Sequence, residues 1–135
     1  RQLGQGAVGD VFVALDCETN QKVVIKALNP VLAFSEKNKI INADFRVSDM
    51  SKAESFINTC DLIMADPPRS GLDGKVKNSI CGSAAKKIIY VSCDASSWAR
   101  DAAFFNSCGF KLESLAFIDM FPGTYHIELI SSFSR

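Results

Sequence analysis

Three side chains that can do chemistry lie at the ends of apolar runs in this sequence. Asp66 follows an apolar run at residues 61–65, Cys93 follows a second at 87–92, and Glu128 lies near the start of the last run. A cysteine thiolate is a nucleophile that can form a covalent intermediate, and a carboxylate can accept a proton. If the runs are strands of one sheet and the last strand is antiparallel, all three groups share the end of that sheet where ligands usually bind.

Two styles of sequence surround these residues. Residues 10–15 and 22–26 are apolar runs on either side of a polar turn at 17–21, which predicts an antiparallel hairpin. Beyond residue 30, short apolar runs alternate with longer stretches compatible with helices, which is typical of an α/β fold. We therefore divide the chain into an N-terminal hairpin segment, 1–30, and an α/β part, 31–135. In the second part we predict strands at 44–47, 61–65, 87–92, 111–118 and 127–133, and helices at 51–59 and 96–107.

Composition narrows the class of protein. The chain has 135 residues, of which 47% are hydrophobic, and 15 basic side chains balance 15 acidic ones. This suits one modest core and argues against an autonomous, strongly basic nucleic-acid-binding domain. No apolar run reaches the length of a membrane span, and the start lacks both Met and the core of a signal peptide, so we expect no membrane association and a piece of a longer protein. Five cysteines without a CxxC pair favour a reducing, cytoplasmic setting.

Three motifs in order give the second part a family resemblance. They are DPPRSGL at residues 66–72, YVSC at 90–93 followed by ARD at 99–101, and DMFP at 119–122 followed by HIE at 126–128. From about residue 35 to 135 the chain resembles the RNA (uracil-5-)-methyltransferases. The resemblance implies a partial Rossmann-like methyltransferase sheet, S-adenosyl-L-methionine as cofactor, and an rRNA or tRNA substrate that is methylated at carbon 5 of uridine.

The same resemblance implies a role for each reactive residue. Carbon 5 of uracil is a poor nucleophile until a thiolate adds to carbon 6, and this role falls to Cys93. A base must later remove the proton from carbon 5, and this role falls to Glu128. Asp66 matches a cofactor contact, and Asp49 matches the position where related folds hold the adenosine. No metal is implied.

Each of these residues also has a purely structural interpretation. Cys93 is otherwise a packed small hydrophobe, Asp66 a cap on the Pro-Pro turn, and Glu128 a solvated strand residue. His126 is interpreted as a hydrogen-bonding residue rather than a catalytic one. The remaining side chains fall into two groups: Arg69 and Arg100 order loops or contact phosphate, and Cys17, Cys60, Cys81 and Cys108 are packed thiols.

Two departures from the family pattern affect what the chain is expected to do. Asp94 and Ala95 stand where Asn-Pro is usual, which changes a loop beside the uracil pocket. The family's glycine-rich cofactor turn and the acidic end of its second strand are expected before residue 35, and neither is recognised there. We therefore predict weak or no cofactor binding, impaired activity, and a 61–65 strand whose exposed edge the N-terminal hairpin can cover.

The first 30 residues resemble a different family. GxGxxG at residues 4–9 leads into a strand, and Lys26 ends the run VVIK, as at the start of a protein kinase N-lobe. The later kinase motifs do not follow, so we predict no phosphoryl transfer. The alternative function is an ATP-binding, kinase-derived module or an inactive fusion remnant.

Overall fold

The computed structural model describes residues 57–135 in full and the backbone of three earlier strands at 10–15, 22–27 and 43–46. Asp49, the glycine pattern at 4–9 and most of the helix predicted at 51–59 lie outside the described residues. The elements in chain order are β1 (Asp10–Leu15), β2 (Lys22–Ala27), β3 (Ala43–Arg46), β4 (Leu62–Ala65), α1 (Gly74–Gly82), β5 (Lys87–Ser92), α2 (Ala95–Ser107), β6 (Lys111–Ile118) and β7 (Glu128–Ser134).

The strands form one mixed sheet in the order β3-β1-β2-β4-β5-β7-β6. β4 and β5 are parallel, and β7 runs antiparallel to β5, as the sequence predicts. β1 and β2 form the expected antiparallel hairpin. β2 then pairs in parallel with β4, Val23 beside Leu62, so the hairpin covers the edge of β4 as expected.

The two strands at the centre of the described core have alternating burial. In β5 the side chains of Ile88, Tyr90 and Ser92 are buried, and β7 buries Leu129, Ser131 and Phe133. Phe105 of α2 packs edge-on against Tyr90 and Phe133, with ring centroids 5.6 and 5.5 Å apart. Each such large side chain contributes about 1.5–3 kcal/mol when fully buried. This core holds β5 and β7 in fixed register, which sets the geometry of the site.

One helix was missed by the sequence analysis and one was predicted. α2 begins and ends within a residue of the predicted 96–107. α1 was not predicted, because its two glycines, Asn78 and Ser79 have low helix propensity. Its start is nevertheless capped by the Asp73 carboxylate, which accepts the Lys75 N–H at 2.8 Å. Within the described part of the chain, no helix is long and apolar enough to cross a membrane.

The interpretation of Cys81 and Cys108 as packed thiols is wrong. The two form a disulfide that joins the end of α1 to the C-cap of α2, with Cα atoms 5.5 Å apart. They are 27 residues apart in sequence, so only the packing of the two helix ends brings them together. Cys60 is a buried thiol, as expected, and Cys17 lies outside the described residues.

Candidate active site

The three reactive side chains lie at one end of the sheet, where β4 and β5 finish and β7 begins. We call this the carboxyl end. Asp66 directly follows β4, and the last residue of that strand, Ala65, is paired with Tyr90 of β5. The β5/β7 ladder ends with Ser92 paired to Leu129, and Cys93 and Glu128 are the residues next to this last pair along their two segments. Asp66, Cys93 and Glu128 thus adjoin the same end of the sheet along the chain, and their assignment as site residues stays a prediction.

Cys93 lies in a short turn between β5 and α2. Its thiol is outside any disulfide and half-buried. The buried Ser92 hydroxyl closes the turn, because it donates to the Asp94 carbonyl at 3.0 Å and accepts the Asp94 N–H at 3.3 Å. The turn thus fixes the backbone on both sides of the thiol.

Asp94, one of the departures from the family pattern, is the N-cap of α2. Its carboxylate accepts the Ser97 N–H at 2.8 Å. This hydrogen bond lowers the pKa of Asp94, and the nearby positive charge of Arg69 lowers it further. Asn caps helices about as well as Asp does, so the substitution keeps the start of the helix.

The loop after Asp66 depends on a glycine. Gly71 has φ 81°, and its N–H donates to the Pro68 carbonyl at 2.8 Å. A Cβ at this position would lie 2.5 Å from the Asp101 carboxylate and would also clash with the Arg100 guanidinium. Any other side chain would therefore displace the loop that carries Asp66.

Asp101 is a functional candidate that the sequence analysis named only as part of the ARD motif. Its side chain is fully buried, and it accepts a hydrogen bond from the neighbouring Arg100 at 3.3 Å and three more from separate parts of the chain. The donors are the Leu72 N–H at 2.8 Å, the Lys77 ammonium at 2.9 Å and the Tyr90 hydroxyl at 2.7 Å. One carboxylate thereby ties the 66–72 loop, α1 and β5 together.

The electrostatics of this group follow from its partners. Burial alone would raise the pKa of Asp101, but the hydrogen bonds from Leu72, Lys77 and Tyr90 outweigh it and the pKa is lowered. Burial and the Asp101 carboxylate both raise the pKa of the Tyr90 hydroxyl. Asp101 is thus ionised and Tyr90 is a permanent donor at neutral pH.

The arginines left open by the sequence have different surroundings. Arg100 donates to the Ser70 carbonyl at 2.6 Å, so it orders the 66–72 loop. Arg69 is exposed. Trp98, which the sequence places at helical spacing in the predicted helix 96–107, donates to the buried Ser131 hydroxyl at 2.9 Å, and Ser131 donates in turn to the Tyr90 carbonyl. These bonds lock α2 onto β5 and β7 close to the site.

A signal for Asp101 is present in the sequence. The buried positions of α2 are Ser97, Asp101 and Phe105, spaced by four residues. This spacing marks one face of a helix, and an acidic residue on the same face as Phe105 indicates a buried, paired carboxylate. Among the described residues, no cluster of three or more His, Cys, Asp or Glu side chains is arranged to hold a metal ion.

Comparison with known proteins gives consistent results. A sequence model of the family tRNA (Uracil-5-)-methyltransferase matches residues 18–133. An uncharacterized RNA methyltransferase of Caldanaerobacter subterraneus subsp. tengcongensis is 38% identical over 133 residues, covering 94% of this chain and 29% of that protein. The 23S rRNA (uracil(1939)-C(5))-methyltransferase RlmD of Haemophilus influenzae is 39% identical over 106 residues, covering 74% of this chain and 24% of that protein.

A solved structure is also similar. It is the Pyrococcus abyssi tRNA (uracil-54, C5)-methyltransferase in complex with S-adenosyl-L-homocysteine, with a TM-score of 0.63 and 28% identity. The match covers 75% of this chain and 25% of that one. The chain thus spans about a quarter of the length of the relatives it matches.

The comparisons give no support to the kinase resemblance at residues 3–30. The family match starts at residue 18 and therefore includes β2 with Lys26. The match to the Caldanaerobacter protein leaves only about eight residues of the chain outside it, so it includes β1 as well. Both strands of the hairpin accordingly lie within sequence that is similar to RNA methyltransferases.

Proposed function

This chain belongs to the tRNA (uracil-5-)-methyltransferase family, and we propose that it transfers a methyl group from S-adenosyl-L-methionine to carbon 5 of a uridine in rRNA or tRNA. The observation that supports the proposal is the β5/β7 ladder, whose last pair, Ser92 and Leu129, lies next to Cys93 and Glu128. The names of the relatives, one acting on 23S rRNA and one on tRNA, support RNA as the substrate. A cytoplasmic location is part of the same proposal.

In the proposed mechanism Cys93 begins the reaction. Its thiolate adds to carbon 6 of uracil, and the electrons of the 5,6 double bond move to form an enolate with a nucleophilic carbon 5. The cofactor supplies an electrophilic methyl group on its sulfonium sulfur. Carbon 5 takes this methyl group, and S-adenosyl-L-homocysteine leaves as a neutral thioether. The closed turn from Ser92 to Asp94 supports this role, because it fixes the thiol at the carboxyl end of the sheet.

Glu128 completes the reaction in this proposal. After methyl transfer carbon 5 still carries its proton, and the Glu128 carboxylate accepts it. The electrons of the broken C–H bond restore the 5,6 double bond, and the Cys93 thiolate leaves carbon 6. Glu128 is half-buried at the first position of β7, where the ladder to β6 pairs it with Ile118. Its neighbour Leu129 pairs with Ser92, the residue before Cys93, so the proposed base and the proposed nucleophile both adjoin the last pair of this ladder.

Asp66 is the proposed cofactor contact in the described part of the chain. Its side chain is exposed at the carboxyl end of β4, and the 66–72 loop behind it is held by Arg100 and Asp101. A carboxylate suits the hydroxyl and ammonium groups of S-adenosyl-L-methionine, so the residues fit the cofactor. Asp49 is proposed for the adenosine side on sequence alone. No observation favours the ATP-binding alternative.

Covalent trapping tests the proposed mechanism. RNA that contains 5-fluorouridine is incubated with the 135-residue chain and millimolar S-adenosyl-L-methionine, because weak cofactor binding is expected, and the adduct is detected by denaturing electrophoresis and mass spectrometry. Fluorine cannot leave as a proton does, so we expect the adduct to accumulate. Cys93→Ala should abolish it, and Cys60→Ala, which changes a buried thiol away from this end of the sheet, should not.

Glu128→Gln separates the two chemical steps. On ordinary uridine RNA it should still form the adduct but release methylated product at least 100-fold more slowly, since proton abstraction contributes roughly 10²–10⁴-fold. An adduct that still forms in Cys93→Ala would contradict the assignment of Cys93 as the nucleophile. Loss of adduct formation in Glu128→Gln would show that Glu128 acts in binding.

A further inference from the structure

The loop between β6 and β7, residues 119–127, carries an unusual exposed surface, which we call the aromatic loop. Tyr125 is 82% exposed, Phe121 59% and Met120 57%. Large apolar side chains that are exposed next to one another often mark an interaction site, whereas single exposed ones scattered over a surface do not. The proposed chemistry of Cys93 and Glu128 makes no use of these side chains.

The rings of the aromatic loop are grouped. The Tyr125 and His126 rings are 4.6 Å apart with an interplanar angle of 36°, and the Phe121 ring stands edge-on to His126 at 6.3 Å. The turn below them is hydrogen-bonded: the Thr124 hydroxyl donates to the Phe121 carbonyl at 2.8 Å and accepts the His126 N–H at 3.2 Å. The loop therefore presents a shaped aromatic surface.

The aromatic loop adjoins the candidate active site. It leads directly into Glu128, the first residue of β7, and the next residue, Leu129, pairs with Ser92 beside Cys93. For a thiolate to reach carbon 6, the target base must leave its stack, and its neighbours then lose a stacking partner. Aromatic side chains are the usual replacement partners for such bases.

The zero net charge of the chain favours base stacking, rather than attraction to phosphate, as the source of its affinity for RNA. The chain carries 15 basic and 15 acidic side chains, so a strong, long-range attraction to phosphate is not expected. We propose, building on the proposed function, that Tyr125 stacks on the nucleobase next to the target uridine in single-stranded RNA. The substrate class is thus a loop or other unpaired segment of RNA.

Binding of labelled oligonucleotides tests this proposal. A single-stranded RNA with one 5-fluorouridine between two purines is titrated with the chain, and fluorescence anisotropy gives Kd. Tyr125→Ala should raise Kd roughly tenfold, whereas Tyr125→Phe, which keeps the ring, should not. Leu112→Ala is the matched control, because Leu112 is 47% exposed but lies at the other end of β6.

A second RNA isolates the stacking contact. In this RNA both purines are replaced by abasic sites, and the parent chain should lose the same factor of roughly ten while Tyr125→Ala adds no further loss. Equal affinities of the parent and Tyr125→Ala for the purine-flanked RNA would overturn the proposal, as would absence of binding by the parent. Failure of the proposed function looks different: RNA binding depends on Tyr125, yet no adduct forms on Cys93.

Discussion

At Asp101 a single buried carboxylate joins three parts of the chain, and its charge can be removed without changing its shape. Asp101→Asn leaves the Lys77 ammonium, which is only 12% exposed, without its partner. We expect the free energy of unfolding at neutral pH to fall by about 1–3 kcal/mol, measured in urea. Glu113→Gln is the control, because the Glu113–Lys87 pair is nearly half exposed and should contribute little. Equal effects of the two variants would contradict the assigned role.

The same carboxylate predicts a pH dependence. The folded-state pKa of Asp101 is lowered from 3.8, so its contribution to stability is present above that value and is lost as the pH falls through the lower, folded-state pKa. The stability difference between the parent and Asp101→Asn should therefore be largest at neutral pH and shrink below about pH 4. Urea titrations of both proteins across this range provide the measurement. A difference that does not change with pH would show that the carboxylate is not ionised in the folded state.

Gly71 provides a test of the loop that carries Asp66. Gly71→Ala combines a positive φ with a Cβ against Asp101 and Arg100, so we expect a loss of at least about 1–3 kcal/mol. Gly82→Ala, at the end of α1, meets no atom within 4 Å and should be neutral or stabilising by up to about 1 kcal/mol. Thermal unfolding of the two variants measures the contrast. A stable Gly71→Ala protein would show that the loop can relax.

The sequence indicated which reactive residues lie at strand ends, but it did not indicate the buried hydrogen-bonding residues that hold the surrounding loops. Asp66, Cys93 and Glu128 were found because they border apolar runs, and the ends of strands are a local property of sequence. Asp101 was not singled out: its spacing from Phe105 indicates a buried helix position, but its partners are not local, since its bond to the Leu72 N–H spans 29 residues and depends on the packed fold. Their chemical roles stay predictions.

At the scale of the elements, the N-cap of α2, Asp94, directly follows Cys93. Asp94→Ala removes the acceptor of the Ser97 N–H and should lower Tm by a few degrees, whereas Asp94→Asn should keep it near the parent value. Because the Ser92 hydroxyl bonds to backbone groups of Asp94 that Ala also has, the turn around Cys93 should persist and the Ala variant should form the 5-fluorouridine adduct at close to the parent rate. Circular dichroism and adduct kinetics check the two effects. An Asn variant as unstable as the Ala variant would argue against a capping role.

Helices and strands were predicted correctly where apolar periodicity and the flanking turn residues indicate the same bounds. β5 and β6 have the predicted bounds, and α2 nearly so, because apolar periodicity and turn residues coincide there. α1 was missed because its stability comes from packing Val76 and Ile80 into the core rather than from helix propensity. The Cys81–Cys108 disulfide was missed for the same reason, since it depends on where two helices end.

For the whole molecule, the N-terminal hairpin was predicted as a structure, but the comparisons give no support to the protein kinases that its sequence resembles. The antiparallel pairing of β1 and β2 follows from two apolar runs and a polar turn. The kinase resemblance rested largely on GxGxxG, a pattern that reflects close backbone approach in many folds and is specific only in context. The hairpin lies within sequence that is similar to an RNA methyltransferase. Its strand β2 also pairs with β4, so the hairpin belongs to the same sheet as the rest of the chain.

The register between β2 and β4 leads to a prediction about cofactor affinity. Val23 pairs with Leu62 and Val24 with Ile63, and the same register continued for three residues beyond these observed pairs would bring Ala27 beside Asp66 at the carboxyl end of the sheet. Related methyltransferases have an acidic residue at the end of the second strand, by the resemblance described above, and here no carboxylate occurs between residues 22 and 35. A bound S-adenosyl-L-methionine would therefore lack one acceptor for its ribose hydroxyls.

Isothermal titration of the 135-residue chain should accordingly detect binding of S-adenosyl-L-methionine weaker than the low-micromolar range, or none. Ala27→Glu restores a carboxylate at the end of β2 and should tighten binding by roughly tenfold, the effect of one charge-assisted hydrogen bond of about 1.5–3 kcal/mol. Ala27→Gln has nearly the same size without the charge and should gain less. Saturable low-micromolar binding by the parent chain would show that other residues already supply the missing contact. Equal affinities of all three proteins would show that the end of β2 does not face the cofactor.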